Sequence, residues 1–227
     1  MTDQQPPQNK PKLAIQVIPV TPFQQNTSLL WHTETMEGVF IDPGGEVDKL
    51  MAVAEQLKVK VTAVWLTHGH LDHAGGATQV AERAGVKIIG PHKDDQWLLD
   101  DIVNQWAKYG VTDTANCQPD RYLEDGDTLD LCGETFHVLH TPGHTPGHVV
   151  IYHKEGGIAF VGDVLFRGSI GRTDFPRGNH QQLIDSITKK LWPLGNHMQF
   201  VPGHNQMSTF GQERKDNQFV SDAVLEG

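Results

Sequence analysis

Short apolar runs broken by glycine-containing turns dominate the chain. They predict β-strands over residues 13–20, 27–31 and 39–41, with Asp42-Pro43-Gly44-Gly45 as a turn. Residues 47–57 then change period. Val47, Leu50, Met51, Ala54 and Leu57 recur every three or four positions, which predicts an amphipathic helix. A strand over 61–66, a helix over 75–84 stopped by Gly85, and a strand over 86–89 follow. Trp97, Leu98, Ile102 and Trp106 give residues 93–109 a helical stripe, closed by Gly110. The second half predicts strands over 129–131, 135–139, 149–152, 158–161 and 199–201, a helix over 181–191, and one short helix after Gly211. Strands followed by helices in both halves predict an α/β fold, with two sheets face to face and helices outside.

Several of these strands end in the same way. The run 62–67 leads into His68-Gly69-His70-Leu71-Asp72-His73, and 136–139 leads into Thr141-Pro142-Gly143-His144-Thr145-Pro146-Gly147-His148. Gly162-Asp163 follows 158–161, and Pro202-Gly203-His204 follows 199–201. A turn just past a strand end aims short side chains at one point, so several strands of a sheet are expected to end around one polar site. Imidazole nitrogen with carboxylate oxygen suits zinc, and also iron or manganese. No G-x-S-x-G turn offers a serine nucleophile.

Composition narrows the class. A chain of 227 residues suits one domain with a sizeable core. Residues 1–12 are polar and proline-rich, and read as a flexible tail without a secretory signal. No apolar run approaches a membrane span. Cys117 and Cys132 form no C-x-x-C pair and read as reduced thiols, which places the chain in the cytoplasm. A formal net charge of −10 argues against a nucleic-acid partner and leaves an anionic small molecule open.

H-x-H-x-D-H, followed by single His, Asp and His residues at later strand ends, resembles the metallo-β-lactamase-fold signature from about Leu13 to Leu225. The stretch Gly162-Asp163-Val164-Leu165-Phe166-Arg167-Gly168-Ser169-Ile170-Gly171-Arg172-Thr173-Asp174-Phe175-Pro176 is similar to glyoxalase II, the hydroxyacylglutathione hydrolases, and particularly their short bacterial relatives. The resemblance implies a four-layer αββα sandwich, and a single domain over 13–227 without the helical glutathione-binding domain of the larger enzymes. It implies two divalent ions, zinc foremost, with iron or manganese as alternatives. His68, His70 and His144 would hold the first ion, and Asp72, His73 and His204 the second. Asp163 would bridge both and, with Asp72, serve the chemistry. Arg172 falls where those enzymes carry a basic contact to glutathione, and Arg167 and Arg177 are weaker candidates.

The implied reaction is hydrolysis of a small-molecule thioester such as S-lactoylglutathione to D-lactate and glutathione, by attack of a metal-bridging hydroxide. Asp163 occupies a place where β-lactamases typically carry cysteine, so lactam hydrolysis recedes. Persulfide dioxygenases, which use one iron, share H-x-H-x-D-H and Gly171-Arg172-Thr173-Asp174-Phe175. Ile170 and His148 stand where those enzymes, or some of them, have cysteine. A non-catalytic metal module is the third reading. His148 reads as a supporting residue, and His32, His92, His137, His140, His153, His180 and His197 as surface or satisfied core residues. Trp97 and Trp106 suit either a cleft cap or a helix packing on the core.

Overall fold

The computed structural model describes residues 12–226. All but Lys12 of the expected tail, 1–12, lies outside the described residues. Its opening meander is β1 (Leu13–Val20), β2 (Gln25–His32) and β3 (Glu37–Ile41), paired antiparallel. Helix α1 (Val47–Leu57) crosses to β4 (Lys60–Trp65). Helices α2 (Leu71–Ala74) and α3 (Ala77–Ala84) lead to β5 (Lys87–Ile89), and β3, β4 and β5 run parallel. Helices α4 (Gln96–Leu99) and α5 (Ile102–Ala107) follow.

The second half holds β6 (Thr128–Leu131), β7 (Glu134–His140), β8 (Val149–His153) and β9 (Ile158–Gly162). After them come a small hairpin of β10 (Leu165–Phe166) and β11 (Ser169–Ile170), α6 (His180–Asp185), β12 (Gln199–Pro202), β13 (Ser208–Thr209), α7 (Phe210–Asp216) and α8 (Asp222–Leu225). One sheet has the order β1-β2-β3-β4-β5 and the other β13-β12-β9-β8-β7-β6.

Three apolar clusters define the layers. Leu50, Val80 and Ile102 from helices meet Leu29, Phe40 and Val64 on the outer face of the first sheet. Val39, Ile41 and Trp65 meet Phe136, Val138, Ile151 and Phe160 between the sheets. Leu183, Ile187 and Phe210 cover Val150, Ala159 and Val161 on the far side. This is the αββα sandwich that the resemblance implies. Alternation explains it, since neighbouring residues of one strand feed opposite clusters: Val39 and Ile41 one, Phe40 the other.

Several boundaries differ from the sequence expectation. The helix expected over 93–109 is interrupted at Asp100 and Asp101. There the Asn116 amide donates to Asp100 O and its carbonyl accepts from Val103 N–H, taking over backbone groups that a continuous helix would pair. The helix over 181–191 begins as α6 and widens to π geometry over Ser186–Leu191. Two short helices, α7 and α8, follow where one was expected.

Both cysteines are free. Burial pushes the Cys117 thiol up to about 12, so it stays protonated and inert at neutral pH. Cys132 is only half-buried. An aromatic disulfide reagent is expected to titrate one thiol in the native protein and both after denaturation; two fast native thiols would show that Cys117 is reached by solvent.

Candidate metal centre

In the second sheet β7 and β9 are both antiparallel to β8, and β12 is parallel to β9. The C-terminal ends of β7, β9 and β12 therefore share one edge, and they deliver His144, Asp163 and His204. The first sheet supplies β4, whose end carries Thr67 and His68 to the same edge. The site is thus built by strand ends of both sheets rather than of one. The H-x-H-x-D-H segment, expected as a turn, is half helical: Asp72 and His73 sit on α2. That turn of helix brings both side chains back over the strand ends.

The ring nitrogens His68 Nε2 and His144 Nε2 each lie 3.0 Å from His70 Nδ1. Ligands bound tetrahedrally about 2.0–2.1 Å from a zinc ion are themselves about 3.3 Å apart, so this spacing suits one ion. Beside it, His204 Nε2 lies 3.2 Å and His73 Nε2 4.0 Å from Asp72 Oδ2. Asp163 stands between the two groups. Its Oδ2 is 3.5 Å from His144 Nε2 and 3.6 Å from His204 Nε2, while its Oδ1 is 3.3 Å from His73 Nε2. The structure therefore brings together all seven side chains expected from the sequence.

Hydrogen bonds fix how the rings face. His73 Nδ1–H donates to Asp42 Oδ2 at 2.9 Å, His144 Nδ1–H to Arg172 O at 2.7 Å and His204 Nδ1–H to Phe23 O at 3.2 Å. Thr67 donates its hydroxyl to Asp42 Oδ2, so its oxygen accepts from His68 Nδ1–H at 3.1 Å. Each of these rings keeps its Nε2 lone pair for the centre. His148 is fully buried, stacks on His68 with centroids 4.7 Å apart, and accepts the Asp163 N–H at Nε2. Gly203 is required beside Asp163, because a methyl group there would press into Asp163 Oδ1 and the His73 ring.

Two carboxylates in this support were not legible as such. Asp42, expected as a turn residue, accepts from Thr67 N, Thr67 Oγ1 and His73 Nδ1. Asp95 accepts from Gly69 N, Gly147 N and Thr145 Oγ1, tying the His68–His73 segment to the loop of His144. Burial pushes the Asp95 carboxyl up to about 6, against the pull of those three hydrogen bonds. Asp95 falls inside the helix expected over 93–109, and nothing local reveals partners 26 and 52 positions away.

The charge pattern supports a cation fit. His73 Nε2 and Asp163 Oδ1 are buried with no hydrogen-bond partner among the described residues, as two ligand atoms facing an ion would be. Burial, with neighbouring rings, holds His68 well below the ordinary imidazole range and lowers His70 to about 3, so both are neutral donors. Burial also acts to lower His73 and His204, but their carboxylate neighbours outweigh it and raise both. A metal at Asp72, His73 and His204 must displace protons held above the ordinary imidazole pKa, whereas one at His68 and His70 competes with protons held below it. Affinity at Asp72, His73 and His204 therefore falls earlier as pH drops. Lowering pH from about 8 to about 6 is expected to strip that ion first, leaving one metal per chain by elemental analysis; simultaneous loss of both would contradict the asymmetry.

A cleft of about 960 Å³ opens over the centre, lined by His70, Asp72, His144, Asp163, His204 and by Phe23, Trp97 and Phe175. Arg172 lines it too, but its guanidinium makes two hydrogen bonds to Asp174, of 2.9 and 2.7 Å, and lies 4.3 Å from the Phe175 ring centroid. Arg167 bonds Gln206, and Arg177 lies over Trp97 at 4.6 Å. Trp106 is buried and donates to Leu71 O. His92 and His140 stack on each other away from the centre, with Glu124 and Pro146 O as partners.

Histidines and aspartates gathered at the strand-end edge of an αββα sandwich define a metal-dependent hydrolase architecture. The family model described as the metallo-beta-lactamase superfamily matches residues 20–204, and the chain belongs to that superfamily. It is an enzyme of the metallohydrolase class. A Haemophilus influenzae protein named hydroxyacylglutathione hydrolase GloC is 44% identical over 208 residues, covering 91% of this chain and 98% of that one. The crystal structure of BLEG-1 B3 metallo-beta-lactamase superposes with a TM-score of 0.84 at 34% identity, covering 91% of this chain and 99% of that one. TTHA1623, solved in a di-iron-bound form, gives a TM-score of 0.81 at 36% identity, covering 90% of this chain and 99% of that one. Among the described residues no helix is long and apolar enough to cross a membrane.

Proposed function

We propose that this chain hydrolyses hydroxyacyl thioesters of glutathione at a dinuclear centre. His68, His70 and His144 would hold one ion, Asp72, His73 and His204 the other, and Asp163 would be shared between them. The observation that carries this reading is the position of the Asp163 carboxylate, 3.3–3.6 Å from His73, His144 and His204 and so shared by both groups. The likeness to a named hydroxyacylglutathione hydrolase supports the substrate class. Zinc is the expected metal, and the same nitrogen and oxygen donors accept iron or manganese.

When bound, two divalent ions supply Lewis acidity toward the thioester carbonyl and lower the pKa of a water. The chain's own residues do the rest. Asp72 lines the cleft beside His204 and is the carboxylate to take up the proton of the attacking water. Phe175 rests on His70 and His144 at 5.3 and 6.0 Å and closes one side of the cleft to bulk water. Water adds to the carbonyl carbon, the carbon–sulfur bond breaks, and the thiol leaves with a proton.

The test is thiol release from S-lactoylglutathione by metal-loaded protein, run beside a chromogenic lactam and beside oxygen uptake with glutathione persulfide. Thiol release exceeding lactam opening, with two metals per chain, is expected. Oxygen uptake with one iron per chain, or lactam opening as the faster reaction, would replace this reading.

A further inference from the structure

Trp97, Asp101, Gln105 and Lys108 are spaced by four, four and three residues along α4, α5 and their ends, and all line the cleft. The break at Asp100 and Asp101 separates Trp97 on α4 from Gln105 on α5, so what they share is the wall of the cleft. Their polar groups are unspent. The side chains of Gln105 and Lys108 have no polar partner among the described residues, and Trp97 Nε1 is buried without one. Asp101 accepts only from Asn104, at Oδ1. Several lysines elsewhere are paired, Lys49 with Glu46, Lys60 with Glu37 and Lys190 with Asp125. The cleft is lined by two cations, Lys108 and Arg172, and Asp174 already holds Arg172 at two points. Lys108 is therefore the cationic lining side chain that makes no ion pair among the described residues.

We propose that this wall of the cleft binds the thiol-carrier half of the substrate, a short zwitterionic peptide, with Lys108 rather than Arg172 holding a carboxylate. The proposal rests on the thioester reading for its substrate and on the unpaired wall for its residues. Gln105 matches a peptide amide, and Asp101 matches an ammonium. Phe23 and Tyr109, packed edge to face at 5.1 Å, add an apolar rim at the Lys108 end.

The probe is S-methylglutathione, a thioether that cannot be hydrolysed, titrated calorimetrically into the metal-loaded full chain. Lys108→Met is expected to weaken binding roughly 5- to 30-fold, and Arg172→Met less than about 3-fold. With both carboxylates of the probe esterified, wild type and Lys108→Met should bind alike. Unchanged affinity in Lys108→Met, a larger loss in Arg172→Met, or no binding to wild type would each overturn the proposal. Thioester turnover of wild type, measured in parallel, separates the two claims. Turnover with a silent Lys108→Met overturns the wall alone, and its absence overturns the thioester reading whatever the titrations show.

Discussion

Asp163→Ala is expected to lower thioester turnover by about 10³-fold or more, equivalent to about 4 kcal/mol in the barrier, and to reduce metal content from two ions per chain to one. Asp163 is the proposed ligand within reach of both groups, so its loss separates them. The fold should survive. Asp163 Oδ1 makes no hydrogen bond among the described residues, and the backbone N–H of residue 163 keeps its bond to His148 Nε2 after truncation. Elemental analysis, turnover and thermal melting of the same sample check the three parts. Two metals with wild-type turnover would remove Asp163 from the centre, whereas loss of the melting transition would make it a folding residue.

The second large effect is expected at a residue that touches no proposed substrate or ion. Asp42 is 3% exposed and accepts from Thr67 N at 2.7 Å, Thr67 Oγ1 at 2.5 Å and His73 Nδ1 at 2.9 Å. Asp42→Ala leaves these donors without their acceptor in a dry site, a cost of about 3 kcal/mol or more. For a chain of this length that corresponds to a fall in Tm of about 6–12 °C. His73 also loses the bond that orients its ring, and His68 loses its link through Thr67, so metal affinity should drop about 10- to 100-fold. Asp42→Asn keeps an acceptor for Thr67 N and should recover part of the stability without recovering the affinity. Metal affinity unchanged in Asp42→Ala, measured by competition with a chelator, would show that the rings are held by packing alone.

These variants separate what was readable along the chain from what was not. Alternation and helical spacing are properties of near neighbours, so the strands, α1 and the sandwich class were legible. The interruption between α4 and α5 was not, because the Asn116 side chain that takes over the backbone bonds lies 13 and 16 positions from them. Asp42 and Asp95 were hidden for the same reason. Asp42 looks like an ordinary turn residue, and Asp95 like one more position of a helix, until a segment distant in sequence brings donors to it. Arg172 shows the opposite case. Its partner Asp174 is two residues away, yet only the side-chain geometry shows the guanidinium spent on that carboxylate.

The sequence by itself determined the element types, the two-sheet class, and the ring and carboxylate groups placed at strand ends, because each is written in spacings of a few residues. Tertiary structure decided which sheet delivers which group: β4 comes from one sheet and β7, β9 and β12 from the other. It also decided which nitrogen of each ring faces the centre, and that Arg172 pairs with Asp174 while Lys108 makes no ion pair among the described residues. Those outcomes depend on pairing and burial between segments far apart in the chain, and burial is what turns a polar side chain from a solvated group into one that must find its partner.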